Sequence, residues 1–301
     1  MKPSSSAQLI VNMLAQGLAR VLSLSSNLVL VLIVPRVTSV QFFGEFSYVL
    51  AFITIAVAVA DMGTTAVLAR GLALHEGEAR ERYVGNFLLM RLALVLAVML
   101  GGAVAASLRT GDVRAAMLVA VIGLPALASR FFEPVYQVGQ KPWLSLWTNL
   151  AFGVSQLLLA LWVFLNPDVS LVALTGGIVI SNVAYALIAI FLMIRIVRPR
   201  LVADPGALRT MLAVAAPIGV NALFTTVNSR ADVLMIDHYL GSIEVGIYSA
   251  AYRILDVAIF VAITLATPLI PYLTHEIASD RGRALDRCRG IVLLALAGAL
   301  P

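Results

Sequence analysis

The stretch FGEFSYVLAFIT, Phe43 to Thr54, returns 202 positions later in altered form as VGIYSAAYRILD, Val245 to Asp256. The shift lays Gly44 on Gly246, Phe46 on Tyr248 and Ser47 on Ser249. Just beyond the quoted segments it lays Ala56 on Ala258 and Val59–Ala60 on Val261–Ala262. The same offset superposes the apolar runs that precede the two stretches, and it nearly superposes His75–Glu76 on His275–Glu276. This reads as an internal repeat of about 200 residues, of the kind that builds many transporter folds.

Composition says what is repeated. Of 301 residues 61% are hydrophobic and 12% charged, against about 45–50% and about 25% in an ordinary soluble domain. Apolar runs recur along the whole chain, near Gln8 to Val34, Phe43 to Ala60, Tyr83 to Leu108, Ala115 to Phe132, Pro142 to Leu165, Leu171 to Ile194, Leu208 to Ile236 and Ile243 to Leu273. Each is long enough to cross a hydrocarbon core of about 30 Å as a helix. A ninth run, from Ile291, reaches only Pro301. The expected fold is therefore all-α and polytopic. Two pseudo-symmetric six-helix lobes would occupy residues 1–200 and 201–301, the second cut in its third span. Six spans per copy is an even number, which gives both copies one orientation about an axis along the membrane normal.

Charge sets that orientation. Thirteen Lys and Arg fall in one set of connections: Lys2, Arg70, Arg80, Arg82, Lys141, Arg195, Arg198, Arg200, Arg209, Arg281, Arg283, Arg287 and Arg289. The alternate set holds three, Arg36, Arg109 and Arg114. The bias places the N-terminus and the first set in the cytoplasm. It also accounts for the net charge of +5 without a nucleic-acid partner. MKPSSS is followed by a run too long for a signal-peptide core and is read as leading into an uncleaved first span.

Polar residues inside the spans mark functional faces. Asn12, Gln16, Arg20, Ser23 and Asn27 lie within an arc of about 80° on a helix of about 100° per residue. Asn221, Thr225, Asn228 and Asp232 form the corresponding stripe in the seventh span. Two such stripes imply a shared polar cavity, with hydrogen-bonded helix packing as the alternative. Arg20 and Arg253 both fall near the midplane, where a charge costs about 2.5–3.5 kcal/mol on insertion scales. Asp256, three residues after Arg253, is placed to neutralise it, whereas Arg20 has no acid within four residues. Arg91 is a further candidate to line the cavity or to snorkel. Arg130 is read as pairing with Glu133, and Arg230 as joining a surface network with Asp237. The candidate substrate-binding set is Arg20, Asn12, Gln16, Asn27, Asn221, Asn228, Arg253 and Arg91; Asp61, Asp232 and Asp256 are the acids available for ion coupling.

Other chemistry lacks its signatures. There is no GxxxxGK[ST] for nucleotide phosphates, no HExxH and no cysteine cluster, and the single Cys288 offers no disulfide. The outer connections are only a few residues long, as at Asn166 to Ser170, with no sizeable loop there for a catalytic carboxylate. No enzyme, cofactor or metal is expected.

Two segments carry a resemblance: FGEFSYVLAFITIAVAVADMGTTAVLAR, Phe43 to Arg70, with its break at ADMGTT, and NSRADVLMIDHYLGSIEVGIYSAAYRI, Asn228 to Ile254. They are similar to the polysaccharide-biosynthesis, or oligosaccharide flippase, proteins of the multidrug/oligosaccharidyl-lipid/polysaccharide exporter superfamily. The resemblance implies two lobes around a central cavity in a bacterial plasma membrane. It also implies alternating access that carries an undecaprenyl-diphosphate-linked oligosaccharide to the outer leaflet, alongside glycan polymerases or glycosyltransferases. A drug or cation antiporter of the same superfamily, which would favour acids in the cavity, and a nontransporting assembly subunit are the alternatives.

Overall fold

A computed structural model describes residues 6–138, 142–255 and 257, without the side chains of 6–17, 19, 20, 137, 138 and 142. All regular structure among them is helical. In chain order the helices are α1 (Ser6–Val37), α2 (Val40–Asp61), α3 (Thr64–Leu74), α4 (Gly77–Ser107), α5 (Gly111–Ile122), α6 (Leu124–Leu127) and α7 (Glu133–Val138). They continue with α8 (Ser145–Leu165), α9 (Leu171–Ile196), α10 (Pro205–Asn228) and α11 (Ala231–Tyr239), and α12 covers 242–255. Among the described residues five helical segments are long and apolar enough to cross a membrane, α2 and α3 counting as one.

Local chemistry sets several boundaries. The Ser39 hydroxyl accepts from the Phe42 amide at the start of α2, and Ser170 does the same for Ala173 at the start of α9. Asp204 caps α10 through Gly206 and Ala207, with Pro205 at the first helical position. Each cap satisfies backbone amides that a helix leaves without internal partners.

Three expected spans are broken. The second does not end at Ala60: after Asp61 the chain turns through left-handed Met62 (φ 42°) and Gly63 (φ 73°) and resumes as α3. The fourth stops at Ile122, because Pro125 supplies no amide hydrogen, and continues through α6, a 3₁₀ turn at Ser129–Phe132 and α7. The seventh ends at Asn228, and Arg230 (φ −131°) leaves the helical region before α11 starts. Asp232 therefore sits on a different helix from Asn221, Thr225 and Asn228, so the expected single stripe is interrupted.

Helices α1–α9 make one bundle, against which α10–α12 lean. Towards the arginine-poor connections its core holds Leu30, Val34, Phe46, Met117, Val163 and Leu174. Towards the arginine-rich connections it holds Leu72, Phe87, Phe132, Tyr136, Tyr185 and Met193. On α4 the residues Arg91, Val95, Gly102 and Ala106 are buried, while Leu92, Leu96, Leu100 and Val104 are exposed. The second row repeats every four residues and forms an exposed apolar stripe. Because both rows are mostly apolar, packing rather than pattern separates them.

Candidate functional site

The break after α2 creates the first element of the site. Ending a helix there leaves carbonyls without amide partners inside the bundle, and α4 sends a guanidinium to them. Arg91 Nη1 donates to the Ala60 carbonyl at 2.9 Å, to Asp61 Oδ1 at 2.8 Å and to Thr64 Oγ1 at 2.8 Å. Its Nη2 donates to the Ala128 carbonyl at 2.8 Å, at the end of α6. Arg91 thus closes two helix breaks at once. It is 4% exposed and lies over the Phe131 ring, 4.9 Å from the centroid. Asp61 also accepts from the Thr65 hydroxyl, and its side chain keeps 30% exposure. The two candidates Arg91 and Asp61 are therefore partners. While the pair stands, their charges cancel, and a rearrangement of Asp61 would leave Arg91 uncompensated in a low-dielectric interior.

The second element is the seam between the bundle and α10–α12. At the Met62–Gly63 turn a Cβ on Gly63 would come within 2.6 Å of the Ala215 carbonyl and the Gly219 amide of α10. Nearer the arginine-poor end a Cβ on Gly44 would overlap the Ser242 carbonyl, and one on Gly246 would lie 2.2 Å from the Val40 carbonyl. These two approaches are reciprocal, since 40 + 202 is 242 and 44 + 202 is 246. Paired contacts of this kind, one residue with the mate of a second and the second with the mate of the first, are what a local two-fold axis produces. The Phe43–Thr54 echo is thus packed on itself across the seam.

A clasp closes the same end. Arg109, just beyond α4, pairs with Asp237 of α11 at 2.6 Å and lies over the Tyr48 ring, 4.2 Å from its centroid. Burial lowers the Arg109 pKa, but the bond to Asp237 and the contact with Tyr48 outweigh this and hold it above the ordinary arginine value. Asp237 was expected beside Arg230, but the break before α11 turns it towards α4 instead. Asp232 accepts from the Val233 amide at 2.8 Å and from the Tyr248 hydroxyl, which joins α11 to α12.

The remaining candidates divide. Asn221, Asn228 and Asn27 are exposed. Arg253 is half-buried and faces the Phe43 ring across the seam, 5.6 Å from its centroid. Asn12, Gln16 and Arg20 lie on α1, with side chains outside the described ones, and Asp256 lies outside the described residues. Ser23, on the same stripe, is buried and accepts from Arg130 Nη2 at 3.3 Å.

Arg130 departs from its expected pairing. Among the described residues it makes no ion pair with Glu133. It is exposed and rests over Phe152 and Tyr185, at 4.5 and 5.2 Å from their centroids. Beside it the Tyr136 and Tyr185 side chains are fully buried. Sequence reasoning passed over this cluster because an acid three residues away on a regular helix is the nearest partner, and the 3₁₀ turn removes that geometry. No group of three His, Cys, Asp or Glu side chains arranged to hold a metal occurs among the described residues.

Comparison with known proteins follows from this geometry. No curated protein matches the chain. A solved structure, that of "protein A", shares its fold with a TM-score of 0.63 at 12% identity, over 97% of this chain and 69% of that one. The family profile described as Polysaccharide biosynthesis protein matches residues 6–275. The chain belongs to the polysaccharide biosynthesis protein family, a family of multi-pass membrane proteins with a flippase-type role in polysaccharide synthesis.

Proposed function

We propose that the protein carries an undecaprenyl-diphosphate-linked oligosaccharide from the inner to the outer leaflet of a bacterial plasma membrane, for the synthesis of a surface polysaccharide. Movement is by alternating access between the lobe built from α1–α9 and the one that begins with α10. The observation that carries this reading is the reciprocal contact of Val40 and Gly44 with Ser242 and Gly246. It joins two related units at one end through close backbone approaches, beside the Arg109–Asp237 pair and a small apolar cluster of Ala51, Val233 and Val245. With the arginine-rich connections cytoplasmic, the joined end is the outer one, and the described conformer is closed to the outside.

The substrate asks for cations at its diphosphate and for amides at its hydroxyls. Arg20 and Arg253 supply the first; Asn12, Gln16, Asn27, Asn221 and Asn228 supply the second. Arg91 enters this set only if Asp61 releases it, and Asp61, Asp232 and Asp256 are the acids through which an ion gradient would act. Glycan polymerases or glycosyltransferases are the partners that would consume or supply the cargo. Deletion of the gene should cause the lipid-linked precursor to accumulate on the cytoplasmic side. A cation antiporter would instead alter drug tolerance and leave the precursor unchanged. An assembly subunit would lower precursor synthesis.

A further inference from the structure

Helices α1 and α8 are in close contact midway along, where a Cβ on Gly153 would lie 3.1 Å from Leu22 and 3.4 Å from the Ser26 hydroxyl. Towards the arginine-poor end Leu30 and Val34 of α1 share a core with Ala160 and Val163 of α8. On the outer face of the two helices lies a groove of about 390 Å³ lined by Val29, Ile33, Arg36, Leu157, Ala160, Leu161 and Phe164, a volume within the range of small-molecule sites. Every lining side chain but one is apolar. The exception, Arg36, lies one residue from the end of α1, at headgroup level for a helix that spans.

The groove is not part of the central cavity. Arg36 is nine residues from Asn27, a rotation of about 900° and hence half a turn away. Val29 is about 160° and Ile33 about 120° from Asn27. The groove thus occupies the back of α1 relative to the polar stripe, where exposed Leu161 and Phe164 face lipid. Arg36 makes no ion pair among the described residues, unlike Arg109 at the same end. An apolar slot with one uncompensated cation at its headgroup end is complementary to an amphiphile with an anionic head.

We infer that the α1–α8 groove is a binding site for an anionic glycerophospholipid, one acyl chain lying along it and the phosphate meeting Arg36. Arginine suits this because its planar fork takes two phosphate oxygens. The bound chain fills the groove on the outer face of α1 and α8, so the lipid acts as a packing element of the bundle and not as cargo.

Phe164, which lines the groove, supplies the test: Phe164→Trp, in a chain whose Trp143, Trp147 and Trp162 are replaced by Phe, provides the one tryptophan present. The full chain is reconstituted in phosphatidylcholine vesicles, and its fluorescence is titrated with brominated phosphatidylglycerol or with brominated phosphatidylcholine. Near-surface attraction of one basic residue corresponds to about a fivefold preference for the anionic lipid. Arg36→Gln should abolish that preference, and Arg36→Lys should keep most of it. Equal quenching by the two lipids, or a preference that survives Arg36→Gln, overturns the site. The readout is lipid contact and not transport, so it stands apart from the flippase proposal.

Discussion

Arg91 and Arg109 belong to one stretch of chain and each meets an aspartate, yet their surroundings are opposite. Arg91 is sealed inside the bundle, and three backbone or hydroxyl oxygens besides Asp61 hold it. Arg109 reaches across the seam to Asp237, one-third exposed, with an aromatic ring beneath it. The first joins helices that must stay together because their broken ends depend on it. The second joins parts whose remaining contact there is a close backbone approach and a small apolar cluster of Ala51, Val233 and Val245. A charge pair inside one unit braces it, and a pair between units latches them.

That contrast can be broken most severely at Arg91. Arg91→Ala leaves Asp61 and two helix-end carbonyls uncompensated, a loss of about 3–5 kcal/mol, and thermal unfolding in detergent should show a large drop. Pairing it with Asp61→Leu should recover part of the loss, because the stranded charge is gone. Full additivity of the two changes would mean that the pair is not a unit.

Next in size is the seam. Gly246→Leu should penalise the closed contact by about 1–3 kcal/mol while leaving the bundle's own packing intact. A cysteine placed at Tyr48 should then label faster with an impermeant maleimide from outside intact cells. Unchanged labelling with unchanged transport would show that the Gly44–Gly246 approach does not gate anything.

For the cargo, Arg20→Ala should abolish glycan export with normal membrane levels of protein, Arg20→Lys should restore part of it, and Arg253→Ala should do less damage. Wild-type export by Arg20→Ala would turn attention to Arg130, which already stands exposed on Phe152 and Tyr185. The smallest effect is expected at the clasp. Arg109→Gln removes a partly exposed pair worth about 0.2–1 kcal/mol, so melting should barely move while Tyr48-site labelling rises modestly. A large fall in stability instead would make Arg109 a brace like Arg91.

Much of the framework was legible in the residues. Phe43–Thr54 and its echo read as a repeat, and in the structure the starts of the two stretches approach each other at Gly44 and Gly246. ADMGTT announced a break, although its consequence, a left-handed turn seated on α10, was not readable. The partners of Arg91, Arg109 and Arg130 were not readable either. Pairing by sequence distance favours neighbours three or four apart, whereas Asp61 is thirty residues from Arg91 and Ser23 is 107 from Arg130. The breaks after Ile122 and Asn228 sit inside continuous apolar runs, and hydropathy does not register them.

What the sequence determined by itself is the solvent and the architecture. A chain this apolar must satisfy its backbone internally in lipid, which leaves helices as the form that such spans take. Only the tertiary structure decided which faces look inward and which arginines are already neutralised. Nearly uniform apolarity carries no periodic signal, and a buried guanidinium takes whichever oxygens the helix breaks bring within 3 Å.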